Sequence, residues 1–179
     1  MKKTKKIVLI SIYTALAIVL DVIKGFLPFL NMPSGGSVNI ALIPIVLCSF
    51  HLGVGSSFVS GMLWLVISSI LGLNKYFISF GQILFDYIIP STVLCLSNVF
   101  YKHSKTIEIE LGIFCSMILR TLSICLSGAI YWFDSSAASG SIEAWSGSLL
   151  YNIPYSLVTC LMLMLVIPLL LKTLKKYLV

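Results

Sequence analysis

Gln82-Ile83-Leu84-Phe85-Asp86-Tyr87 places an amide, a carboxylate and a phenol in the middle of an apolar run that extends from about Phe77 to Phe100. A run of this length, helical, crosses a bilayer, which takes about 20 residues. A carboxylate at its centre costs about 3 kcal/mol on insertion scales, so it marks a functional site. Gln82 and Asp86 are four residues apart and share one helix face. Tyr87 sits one step round from them. The rest of the chain reads as the scaffold that holds this acidic, aromatic face inside a membrane.

Composition agrees. Of 179 residues, 59% are hydrophobic and 10% charged, and the mean hydropathy is +1.06. That is too apolar for a soluble domain of this size. The apolar runs are continuous and lack the alternation of a β-barrel strand. The expected fold is an all-α integral membrane protein, one domain (1–179) of six transmembrane helices. The expected spans are 7–30, 38–50, 53–73, 77–100, 109–133 and 147–171. The net charge of +6 does not point to nucleic acid, because the lysines gather at membrane edges. Cys48, Cys95, Cys115, Cys125 and Cys160 all lie in apolar segments without CxxC or CxxH spacing, so no zinc site or disulfide framework is indicated. The opening MKKTKK and its apolar run lack a convincing small-residue cleavage site and read as a retained first helix.

Along the chain, Pro28 bends or ends the first segment, and Asp21 and Lys24 are spaced to pair at i,i+3. Ser11 and Ala15 put two small residues on one face. Met32 to Ser37, with Gly35 and Gly36, reads as a loop whose backbone can come close to a ligand or gate. Segment two is short, and Asn39 opens it; His51 is expected in the turn that follows. Gly53, Ser57 and Gly61 form a small-residue stripe for tight packing. Segment five carries Arg120, the only arginine; segment six carries Tyr151, Asn152 and Pro154.

Six spans put both termini on one side. Lys2, Lys3, Lys5, Lys6, Lys102, Lys105, Lys172, Lys175 and Lys176 then share that side, which the positive-inside rule makes cytoplasmic. Counting inward from the outer end at the helical rise, Asp86 lies roughly 14 Å deep, Arg120 roughly 20 Å and Asn152 roughly 9 Å. Tyr76, Trp132 and Trp145 lie near the outer boundary. If their faces converge, Asp86, Tyr87, Gln82 and Asn152 line a pocket open to the outside and roofed by aromatics. The plainer readings stand beside it: Asp86 and Arg120 as a packing ion pair, the aromatics as an interfacial belt, and Asn152 as an interhelical hydrogen-bond residue.

The order Met32-Pro33-Ser34-Gly35-Gly36-Ser37-Val38, Ile43-Pro44-Ile45, Gln82-x-x-x-Asp86-Tyr87, Ser127-Gly128-x-x-x-Trp132 and Tyr151-Asn152 resembles the thiamine-specific substrate-binding (S) components of energy-coupling factor (ECF) transporters. The resemblance covers nearly the whole chain. It implies a cell-membrane protein that binds thiamine from outside and has no cofactor and no catalytic or metal site. It further implies association with a transmembrane coupling subunit and two cytoplasmic ATPases, and delivery by toppling in the membrane. Tyr76, Asp86, Tyr87, Trp132 and Asn152 stand at the family's ligand-contacting positions, and Arg120 stands where a basic residue is expected. Ser11 and Ala15 match the face that docks on the coupling subunit. The carboxylate suits a cationic thiazolium or an aminopyrimidine, the aromatic faces suit both rings, and an amide suits the pyrimidine edge.

The chain departs from the family at three positions. Ile124 replaces a histidine, Asn39 an acidic residue and Gly147 an aromatic, with Tyr151 near the last. Another S-component ligand, such as a thiamine precursor, is therefore the alternative within the transport class. An intramembrane enzyme would need a nucleophile–base pair or a metal constellation, and the sequence offers neither. A purely structural membrane protein would make Asp86 and Arg120 a packing pair.

Overall fold

The computed structural model describes residues 3–32, 36–73, 76–103, 105–132 and 138–178, with side chains to residue 174. Lys2, Pro33, Ser34 and Gly35, named above, lie outside the described residues, as do the side chains of Lys175 and Lys176. Among the described residues six helices follow one another: α1 (Lys3–Gly25), α2 (Leu42–Leu52), α3 (Val54–Ile70), α4 (Phe80–Asn98), α5 (Thr106–Trp132) and α6 (Ile142–Leu178). Of these, α1, α4, α5 and α6 are long and apolar enough to cross a membrane, whereas α2 and α3 are shorter. At 1.5 Å per residue α2 reaches only roughly 17 Å. It compensates by position. Leu42, Ile45, Val46 and Cys48 are fully buried around its circumference, against Tyr13 and Ala17 of α1, Ile113 and Met117 of α5, and Leu163 and Ile167 of α6. A helix apolar all round sits at the centre of a bundle.

Small residues and hydroxyls make the close contacts. A Cβ on Gly61 of α3 would run into the Ser91 carbonyl of α4, and one on Gly112 of α5 into the Ser97 carbonyl. Thr14 and Ser60 share a hydrogen bond at 3.0 Å between α1 and α3, Ser97 and Ser116 one at 2.7 Å between α4 and α5, and Ser57 donates to the Ile45 carbonyl at 2.8 Å. Apolar attraction between helices is weak in lipid, so packing and such bonds carry association. Ser57 and Gly61 thus serve the packing expected of their stripe, while Gly53, at φ +88°, makes the break between α2 and α3. Asp21 is buried, pairs with Lys24 at 2.8 Å and accepts from Trp64 Nε1 at 3.1 Å and Ser68 Oγ at 3.3 Å, which fastens α1 to α3.

Two expectations need correction. His51 is in the last turn of α2, not in the turn after it, because the helix runs on to Leu52 and the Tyr13 hydroxyl meets its Nδ1 at 2.7 Å. Regular helix in α2 starts at Leu42 and not Val38, because Asn39 turns its own backbone: its Oδ1 accepts the Ala41 N–H at 3.1 Å.

Neither α4 nor α5 is a uniform helix. Leu84–Ile88 and Gly128–Trp132 are π-helical turns, and Val93–Asn98 is 3₁₀. The first π-turn has a visible cause. Pro90 has no N–H, and in the i→i+5 register that N–H would have gone to Phe85. The hydroxyl of Ser123 on α5 donates to the Phe85 carbonyl at 2.6 Å instead. One turn along α5, Arg120 Nη1 donates to the Pro90 carbonyl at 3.0 Å. The irregular backbone of α4 is therefore held open by two side chains of its neighbour.

Candidate functional site

The π-turns carry Asp86 and Trp132 to the same place. Trp132 Nε1 and Gln82 Nε2 both donate to Asp86 Oδ2, at 3.0 and 2.9 Å. Asp86 Oδ1 has no hydrogen-bond partner among the described residues. A carboxylate fixed through one oxygen and open at the other is prepared for a donor or a cation from outside the protein. π-turns inside helices recur at functional sites because they re-aim side chains that a regular helix would space differently.

Asp86 and Trp132 face a cavity of about 520 Å³, whose other walls are Ile124 and Gly128 of α5 and Gly147, Ser148, Tyr151, Asn152 and Tyr155 of α6. Ligand pockets for small molecules commonly span about 300–1,000 Å³. The wall follows helical spacing: Ile124, Gly128 and Trp132 on α5, and Gly147, Tyr151 and Tyr155 on α6, each at steps of four. Gly128 is a packing requirement here, since a Cβ would run into Ser148 Oγ. Asn152 Nδ2 donates to the Ser148 carbonyl at 2.9 Å, and Ser148 Oγ donates to the Cys125 carbonyl at 2.7 Å.

Of the residues named from sequence, Asp86, Trp132, Tyr151 and Asn152 are brought together around this cavity. Tyr76 stands behind them; its ring meets Trp132 edge-to-face with centroids 5.7 Å apart. Gln82 is corrected from lining residue to bracket. It is fully buried, and besides holding Asp86 it accepts from the Ile78 N–H at 3.3 Å and donates to the Tyr76 carbonyl at 3.4 Å. Tyr87 also turns away from the main cavity, its hydroxyl donating to the Tyr76 carbonyl at 2.9 Å. Tyr87, Arg120 and Asn39 line a smaller polar chamber of about 130 Å³ with Asp21, Lys24 and Asp86, which lines both spaces. Among the described residues no ion pair joins Asp86 to Arg120; the guanidinium serves the Pro90 carbonyl. Ile124 and Gly147, noted as departures, both line the main cavity.

Sequence reasoning missed Ser148, Gly128 and Tyr155 as lining residues. The signal for Tyr155 was its place four residues after Tyr151 and three after Asn152. Its hydroxyl donates to Asn152 Oδ1, and its ring lies against Gly36, which has φ +74°. The loop before α2 thus closes on the cavity wall, with Met32 N–H donating to the Gly36 carbonyl at 3.0 Å.

The sequence matches the family model described as thiamine transporter protein (Thia_YuaJ) over residues 7–179. The chain belongs to this family. It is 33% identical over 182 residues to the thiamine transporter ThiT of Bacillus subtilis (strain 168), covering 91% of this chain and 92% of that protein. Its fold is that of two solved structures. ThiT from Listeria monocytogenes superposes with a TM-score of 0.81 at 22% identity over 98% of both chains. The S component of a bacterial ECF transporter superposes with a TM-score of 0.68 at 19% identity over 99% of both chains. As a Thia_YuaJ member with several apolar helices long enough to span, the protein is a multi-pass membrane protein. The family is one of transporters.

Proposed function

We propose that the protein is the substrate-binding membrane subunit of an ECF vitamin importer, which takes thiamine from outside. It hands the vitamin on through a coupling subunit driven by two separate ATPases. Asp86 carries this reading: a carboxyl side chain in a helix long enough to span, with no hydrogen bond on Oδ1 among the described residues, lining a cavity of about 520 Å³. Thiamine is a cation with a planar aminopyrimidine. Asp86 supplies the counter-charge and acceptor, Trp132, Tyr151 and Tyr155 supply aromatic faces with cation–π attraction, and Asn152 reads the pyrimidine edge. Gln82 and Tyr76 act behind Asp86 and Trp132. Tyr87, Arg120 and Asn39 act from the smaller chamber, by keeping the α4 backbone and the far side of Asp86 in place.

Both termini are cytoplasmic in this reading, supported by the lysines at the start of α1, between α4 and α5, and at the end of α6. Ser11 and Ala15 are both exposed on α1, which suits close contact with the coupling subunit. A thiamine precursor or another cationic heterocycle is the second reading. Ile124 and Gly147 in the wall favour it, because they make the cavity more apolar and roomier than a histidine and an aromatic would.

Thiamine titration of the purified protein in detergent, followed by quenching of tryptophan fluorescence, tests the proposal. Saturable quenching at submicromolar thiamine is expected. No response up to ~100 μM, an affinity weaker than about −5.5 kcal/mol, rejects thiamine and turns the search to its precursors.

A further inference from the structure

We propose that Tyr155 is a specificity-determining positioning residue: with Ser148 it locks the Asn152 amide so that the cavity meets it as a hydrogen-bond acceptor only. The inference rests on the proposed thiamine site and goes beyond it by naming what sets the polarity of its α6 wall.

The orientation follows from partners that allow no exchange of roles. Asn152 is buried, and its side chain lies 2.9 Å from the Ser148 carbonyl, which can only accept, so Nδ2 must face it. The second hydrogen of Nδ2 points to Ser148 Oγ at 3.2 Å. That hydroxyl has spent its own proton on the Cys125 carbonyl at 2.7 Å, so towards Asn152 it also accepts. Both amide hydrogens are thereby taken, and Oδ1 faces the other way, where the Tyr155 hydroxyl donates to it. Asn152 has one lone pair left, and Tyr155 has only lone pairs left. Across the cavity stands Asp86, an acceptor whose Oδ1 takes no hydrogen bond among the described residues, and Trp132 has given its one N–H to Asp86 Oδ2. The polar groups fixed at both ends are acceptors.

A ligand therefore needs donors at both ends. The exocyclic amino group of an aminopyrimidine supplies them at one. The 4-oxo analogue, in which oxygen replaces that amino group, sets an acceptor against an acceptor, and a buried polar mismatch of this kind gives strong discrimination. Without the Tyr155 hydroxyl the amide is held only through Nδ2 on Ser148, and Oδ1, freed of its one donor, can swing about those bonds out of line with the amino group of the ligand. The ring of Tyr155 seats Gly36, so Tyr155→Phe keeps the loop contact while it removes the hydroxyl.

The test is isothermal titration of wild type and Tyr155→Phe in detergent with thiamine and with its 4-oxo analogue. Wild type is expected to prefer thiamine strongly. In Tyr155→Phe the preference is expected to narrow by about tenfold, with thiamine weakened and the analogue unchanged or improved. The ratio of the two affinities on one sample does not depend on how much protein is folded. A merely structural tyrosine would weaken both ligands by the same factor, and an unchanged ratio overturns the inference while leaving thiamine binding intact. Failure of wild type to bind thiamine overturns the functional reading and this inference with it.

Discussion

Trp132 Nε1 donates to Asp86 Oδ2 at 3.0 Å across 46 positions of sequence, joining the π-turn of α4 to the π-turn of α5. The bond takes up one carboxylate oxygen and leaves the other without a hydrogen bond among the described residues, and both side chains line the main cavity. Trp132→Phe keeps an aromatic face but frees Asp86 to rotate. A charge-assisted hydrogen bond contributes about 1.5–3 kcal/mol, so thiamine affinity is expected to fall by at least tenfold. Calorimetric titration checks it, since the substitution removes the tryptophan that lines the cavity.

Asp86→Asn separates binding from packing. The amide oxygen can still accept from Gln82 and Trp132, but the negative charge is gone. Loss of one partner of a desolvated charge pair costs about 2–5 kcal/mol, so thiamine binding is expected to weaken by more than 30-fold. Thermal unfolding in detergent is expected to hold steady or rise, because a neutral amide is cheaper to bury than a carboxylate. A fall in unfolding temperature with affinity intact would make Asp86 a packing residue.

Gly128→Ala acts on the opposite wall. The added methyl runs into Ser148 Oγ and comes within 3.2 Å of Asn152 Nδ2, so the Ser148–Asn152 pair must shift. Misplacing a polar contact is expected to weaken thiamine binding by about tenfold. Calorimetry on the variant reads this directly; unaltered affinity would show that the α6 wall tolerates the displacement.

Gly112→Ala tests the scaffold away from the cavity. Its methyl runs into the Ser97 carbonyl, and to make room α5 and α4 must part, which stretches the Ser97–Ser116 hydrogen bond at 2.7 Å. Overpacking of this sort costs about 1–3 kcal/mol. A clear drop in unfolding temperature is expected, with thiamine affinity of the folded fraction little changed.

Much of the site was legible because hydropathy and the cost of a buried charge are properties of short stretches. Asp86 stood out as a carboxylate in a run long enough to span. Trp132, Tyr151 and Asn152 could be set at compatible depths by counting residues along helices. Gln82 and Tyr87 were misplaced for the same reason. Counting by four assumes a regular helix, and the π-turn at Leu84–Ile88 breaks the count just where it mattered. Arg120 read equally well as a ligand residue or as the partner of Asp86, because one sequence does not show which neighbour has a spare carbonyl.

The amino-acid sequence by itself determined that this chain is a bundle of membrane helices, where most of them lie, and that a carboxylate, Asp86, falls inside one of the apolar runs. Each of these follows from solvation free energy summed along a segment. Only the tertiary structure decided which groups that carboxylate touches. Pro90 withholds an N–H, Ser123 and Arg120 of another helix satisfy the carbonyls of the irregular backbone, and α4 turns Asp86 towards Trp132 and Tyr87 away. The Tyr155–Asn152–Ser148 chain was likewise fixed by packing, since a hydrogen bond has a direction that only placed partners can assign.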